Sequence, residues 1–86
     1  MRMALKFLVE VYLPAAQKLF DMRIPATSRM GEINTLVASL ASDLSGGSYQ
    51  ATKQSVLINA VTGDMYDVNM TAAEQEIRNG TQLILI

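Results

Sequence analysis

The 86-residue chain is half apolar, only 17% charged and carries a net charge of −1. It therefore reads as one small globular domain without the basic field that nucleic-acid binding needs. It has no cysteine and no histidine, which excludes disulfides, thiolate chemistry, the usual neutral-pH general base and the commonest transition-metal ligand.

Arg2, the apolar run from Leu5 to Leu13 and Pro14-Ala15-Ala16 together have the outline of a signal peptide. Lys6 and Glu10 interrupt the run, and no apolar segment approaches the roughly 20 residues of a membrane span, so direct membrane insertion is not expected. The run alternates instead: Leu5, Phe7, Val9, Val11 and Leu13 share one face, which predicts a half-buried strand. Lys18 to Ile24 resumes the alternation, with Phe20, Met22 and Ile24 on one face and Leu19, Asp21 and Arg23 on the other. Two such runs joined by about four residues form an antiparallel hairpin, which Pro25 stops.

Ile33, Leu36, Val37, Leu40 and Leu44 then recur at helical spacing, with Ala41 filling the stripe. Thr27 or Ser28 is the expected cap, Glu32 complements the helix dipole, and Ser45-Gly46-Gly47 ends the helix. Gly46 to Gln54 reads as a flexible loop in which Tyr49 is the only bulky residue. Ser55 to Val61 is a third strand; Val56, Ile58 and Ala60 are its apolar set, and Asn59 marks the opposite set, with Leu57 and Val61, as the wetter side. After the turn Thr62-Gly63-Asp64, Met65 to Val68 is long enough for a short fourth strand. Thr71 and Glu74 have the spacing of a capping box, Asn79-Gly80 turns the chain, and Leu83-Ile84-Leu85-Ile86 is a last strand apolar on both sides, the signature of an inner strand. The order predicts an α+β domain: a mixed four- to five-stranded sheet packed on one main helix.

The acidic pairs Asp64/Asp67 and Glu74/Glu76 read as solvated turn residues. There is no calcium-loop or phosphate-loop pattern, so no metal or cofactor is implied and the chain reads as a non-enzyme. Met22 falls on a core face, while Met65 and Met70 read as gap fillers.

This order resembles the β-grasp fold of ubiquitin over essentially the whole chain. The segment Thr71-Ala72-Ala73-Glu74-Gln75-Glu76-Ile77-Arg78-Asn79-Gly80-Thr81-Gln82-Leu83 is also similar to the T-x-A-E-x-G-I/V-x-D/N-G-D-x-L ending of the YukD/EsaB family. The ubiquitin-like N-terminal domain of EccD-type membrane proteins shares that ending. Both are components of bacterial type VII (ESX-like) secretion systems. Ile24-Pro25 and Ile33 to Leu40 add to the similarity. Glu76 stands where the family commonly has glycine and Thr81 where it commonly has aspartate, departures that bear on local turn geometry.

The resemblance implies a last strand parallel to the first at the sheet centre. Leu8, Tyr12, Leu57, Ile84 and Ile86 would then cluster on the outer sheet face as a partner-binding patch; scattered exposed aliphatics are the alternative, and pairing of two copies is a third arrangement. The resemblance implies a cytoplasmic ubiquitin-like accessory protein, peripheral to a membrane-bound secretion complex, that binds a membrane component or ATPase of that system. Its length favours a free-standing protein over a domain of a larger one. A conjugated modifier or sulfur carrier is disfavoured because no Gly-Gly tail follows Ile86, and a generic β-grasp interaction domain is the remaining alternative.

Overall fold

A computed structural model describes residues 5–86, and Arg2 of the signal-like outline lies outside them. The first alternating run forms β1, Lys6–Leu13, and the second forms β2, Lys18–Pro25. They pair antiparallel without a slip, from Lys6 opposite Pro25 to Leu13 opposite Lys18. A tight four-residue turn joins them, with Gln17 at a φ of 53°. Then come helix α1, Met30–Leu44, strand β3, Leu57–Asn59, a 3-10 turn at Ala73–Gln75 and strand β4, Gln82–Leu85. The sheet order is β2-β1-β4-β3, with β4 parallel to β1 and antiparallel to β3. The expected mixed sheet is thus four-stranded, and the last strand is an inner one.

The core is the inner sheet face against one side of α1. Val9, Val11 and Leu13 of β1, Met22 and Ile24 of β2, Leu57 of β3 and Leu83 and Leu85 of β4 are all buried. Met30, Ile33, Val37, Ala38 and Ala41 meet them from the helix. The expected helix stripe is therefore corrected. Ile33, Val37 and Ala41 belong to it, but Leu36, Leu40 and Leu44 are partly exposed, at 43%, 38% and 52%. Met30, Asn34 and Ala38 are buried in their place, and Asn34 Oδ1 accepts the Leu57 N–H at 3.2 Å.

The start of α1 is not capped by a side chain. Thr27 and Ser28 do not cap it: Arg29 is the N-cap residue and makes no side-chain capping bond. Backbone carbonyls from a distant loop do that work instead. The N–H of Met30 donates to the Met70 carbonyl at 2.9 Å, and that of Gly31 to the Val68 carbonyl at 3.0 Å. A Cβ at Gly31 would sit 3.4 Å from the same Val68 oxygen, an ordinary van der Waals contact. At the far end Gly46 takes a φ of 64°. Its N–H donates to Asp43 O and that of Gly47 to Ser42 O, both at 3.2 Å. These two bonds satisfy the last carbonyls of the helix as a glycine stop does.

Three further expectations change. The third strand is only three residues long and its parity is reversed: Leu57 is fully buried opposite Leu85, while Ile58 lies opposite Ile84 on the outer face. Met65 to Val68 does not form a strand; Met65 makes a single bridge to Ile58. The loop after α1 is pinned by Tyr49, which is buried, donates its backbone N–H to Ser45 Oγ at 3.0 Å and its hydroxyl to Ser55 Oγ at 2.6 Å.

Candidate functional site

The outer sheet face carries four of the five residues expected to bind a partner. On β1 and β4 alternation sends Tyr12 and Ile84 outward, because Val11, Leu13, Leu83 and Leu85 point into the core. Register then lines up Leu19, Tyr12, Ile84 and Ile58 in one row across all four strands. Beyond this row Ile86 and Val56 exchange two backbone hydrogen bonds at 3.1 Å. Tyr12 is 38% and Ile86 57% exposed, and Ile84, Ile58 and Val56 are half-buried. Tyr12, Leu19, Ala60 and Ile84 line a shallow cleft of about 420 Å³ with Glu10 and Gln82 at its edge.

Of the five expected residues, the structure brings Tyr12, Ile84 and Ile86 together. Leu57 is not on this face at all, since the register of β3 against β4 turns it into the core. Leu8 faces outward but stands apart. Between it and Tyr12 lies Glu10, whose Oε1 accepts from Gln82 Nε2 at 3.2 Å and which sits opposite Asp21. A polar row thus separates Leu8 from the apolar one.

Leu19, Ile58 and Val56 were missed. Leu19 was legible: with strands paired across a four-residue turn, the partner of Tyr12 has to be residue 19. Ile58 and Val56 were not, because a three-residue strand has too little alternation to fix its faces.

The Thr71–Leu83 segment shows why its residues stand where they do. The N–H of Thr71 donates to Glu74 Oε1 at 2.9 Å and that of Glu74 to Thr71 Oγ1 at 3.2 Å, the reciprocal capping box. The Thr71 N–H and the Thr71 hydroxyl, which also donates to Glu74 Oε1 at 3.1 Å, hold the Glu74 carboxyl below its usual range, helped by the nearby Arg29 charge. Ala72 and Ile77 are buried. Glu76, at the expected glycine position, takes a φ of 64°. Thr81, at the expected aspartate position, accepts the Arg78 N–H on its hydroxyl at 3.0 Å, as a carboxylate there would. Asn79 Oδ1 accepts the Leu8 N–H and the Gly80 N–H donates to the Leu8 carbonyl, both at 2.8 Å, so this turn is stitched to β1.

The four turn carboxylates, Asp64, Asp67, Glu74 and Glu76, are exposed. Among the described residues no group of three or more His, Cys, Asp or Glu could hold a metal ion, and no helix is long and apolar enough to cross a membrane. Burial pushes the Tyr66 hydroxyl up, and the Asn59 side chain opposes the shift.

No protein-family model and no curated protein matches the sequence. Solved structures do match the fold. The ubiquitin-like domain of the Mycobacterium tuberculosis type VII secretion system protein EccD1 is similar, with a TM-score of 0.76 at 11% identity, over 95% of this chain and 98% of that one. The EccD5 ubiquitin-like domain from Mycobacterium xenopi gives 0.71 at 17% identity, over 95% and 93%. A ubiquitin from Caldiarchaeum subterraneum gives 0.71 at 11% identity, over 94% and 91%. The chain therefore has the ubiquitin-like β-grasp fold, and it is structurally similar to the ubiquitin-like domains of type VII secretion proteins. At these identities the likeness is one of fold, which the ubiquitin shares equally.

Proposed function

We propose that this chain is a non-enzymatic ubiquitin-like accessory protein of a type VII (ESX-like) secretion system, of the YukD/EsaB kind. It binds a membrane component or ATPase of that apparatus, on the cytoplasmic side, through the outer sheet face. The observation that carries the binding role is the in-register row Leu19–Tyr12–Ile84–Ile58. Four apolar side chains across a whole sheet face form a contiguous patch, which on a small protein marks a partner site more often than isolated aliphatics do. The secretion assignment is supported by the likeness to the EccD1 and EccD5 domains and by the Thr71–Leu83 segment, in which Glu76 takes a φ of 64° that suits glycine and Thr81 accepts the Arg78 N–H. A sequence without histidine or cysteine fits a role in binding rather than catalysis.

The test is affinity purification of the tagged chain from its native host, beside Tyr12→Ala and Ile84→Lys. Recovery of a secretion-system membrane protein or ATPase with the parent chain, and its loss with both variants at unchanged melting temperature, is the expected result. Recovery of covalent adducts of the chain would instead establish a modifier. Equal recovery by parent and variants would remove the sheet face from the mechanism.

A further inference from the structure

Beyond the β3 edge lies a second surface of different chemistry, which adjoins the outer sheet face where Met65 bridges Ile58. Met65, Tyr66 and Met70 converge on a groove of about 420 Å³ that Asp64, Glu74 and Glu76 border. The two methionines are not core fillers: Met65 is 68% and Met70 37% exposed. Between Lys53 and Arg78 the sequence holds four carboxylates and no lysine or arginine, within a chain whose net charge is only −1. Arg29 acts on Glu74 from elsewhere in the chain.

The groove is also rigid without being regular. The Gln75 side chain accepts the Asp67 N–H at 2.7 Å and donates to the Asp67 and Met70 carbonyls at 2.9 and 3.3 Å. The same loop caps α1 through Val68 and Met70. A partner docking here would not have to order it first.

We infer that this groove docks a basic amphipathic helix of a protein partner, with the apolar side of the helix on Met65 and Met70 and its lysines or arginines on Asp64, Glu74 and Glu76. Charge complementarity selects that occupant. Apolar thioethers adapt to varied side chains, and the carboxylates fix the sign of what surrounds them. Nucleic acid and acidic lipid surfaces are repelled by the same rim. This surface adjoins the sheet face at Met65 and differs from it by its acidic border, and its test does not depend on the secretion assignment.

Three synthetic 18-residue peptides serve as probes: a Leu/Lys amphipathic helix, its Leu/Glu counterpart, and a Ser/Lys peptide of equal charge without an apolar side. Binding to the full chain is followed by NMR of methionine methyls and backbone amides. The Leu/Lys peptide is expected to shift the Met65 and Met70 methyls, and the other two to bind at least about tenfold more weakly. Asp64→Asn with Glu76→Gln should weaken Leu/Lys binding about tenfold, since among the described residues neither carboxylate makes a hydrogen bond and glutamine keeps the side-chain shape at residue 76. Met65→Ser should weaken it as well. Shifts confined to Tyr12 and Ile84, equal binding of the Leu/Glu or Ser/Lys peptide, or no effect of the double variant would overturn the inference.

Discussion

Glu76 occupies a backbone conformation that suits glycine, at a φ of 64° and a ψ of 20°. A side chain at left-handed φ costs about 1–2 kcal/mol, and glycine gives part of that back through its freer unfolded chain. Glu76→Gly is therefore expected to stabilise the protein by about 0.5–1 kcal/mol in urea titration. Glu76→Ala keeps the Cβ and should bring no such gain. If the two variants gain alike, charge relief among the turn carboxylates is the cause and strain is not. Two residues earlier, Glu74 makes a titratable contribution. Its native carboxyl is held low, so its stabilising effect is complete above the ordinary carboxylate range and fades as pH falls through the lowered native value. Melting curves of parent and Glu74→Ala should thus differ at neutral pH and converge in acid. Persistence of the full difference in acid would mean that the Thr71 N–H bond owes nothing to the charge. The capping pair was legible from its spacing alone, whereas the strain at Glu76 was visible only as a departure from a resembling pattern.

Helix α1 carries two apolar rows, and only one of them is core. Ile33, Val37 and Ala41 are buried, while Leu36, Leu40 and Leu44 form a row four residues apart that is partly open to solvent. Ile33→Ala should therefore cost about 2–5 kcal/mol and Leu36→Ala less than about 1 kcal/mol, read from urea midpoints at constant slope. Equal losses would put the Leu36 row in the core. Sequence reading favoured the leucines because helical spacing marks a broad apolar stripe without showing which side of it meets the sheet, and the buried side runs through Ile33, Val37, Ala38 and Ala41. The same limit explains the strands. β1 and β2 each run eight residues, enough for alternation to fix both faces. β3 runs three, and its parity is set by pairing with β4, a contact 26 residues away between Ile58 and Ile84. The outer sheet face inherited both outcomes: the outward placement of Tyr12, Ile84 and Ile86 was legible, Leu57 was misplaced, and Ile58 was hidden. The helix cap was illegible for a similar reason, since the acceptors at Val68 and Met70 lie on a loop far along the chain.

At the scale of the whole molecule, the strand that closes the sheet is the last one formed by the chain. β4 pairs with β1 on one side and β3 on the other, and Glu10 lies opposite Gln82 across 72 residues of chain. Local contacts can assemble the β1–β2 hairpin and α1 early, but the loop-closure entropy of the parallel pairing is recovered only when β4 docks. The buried side chains of Leu83 and Leu85 are each worth roughly 1.5–3 kcal/mol, against a total of about 5–15 kcal/mol for a domain of this kind. Removing them also exposes Leu57 and the inner edge of β1, and leaves β3 with no strand beside it. Deletion of residues 82–86 is therefore expected to abolish cooperative unfolding, seen as a featureless thermal curve by circular dichroism. The contrasting variant is Ile84→Lys, which changes an outward side chain of the same strand and should keep a sharp transition. A sharp transition in the deletion variant would mean that hairpin and helix fold by themselves, with β4 added to a finished core. Loss of the transition in Ile84→Lys would place that side chain in the core and remove the central member of the row across the sheet.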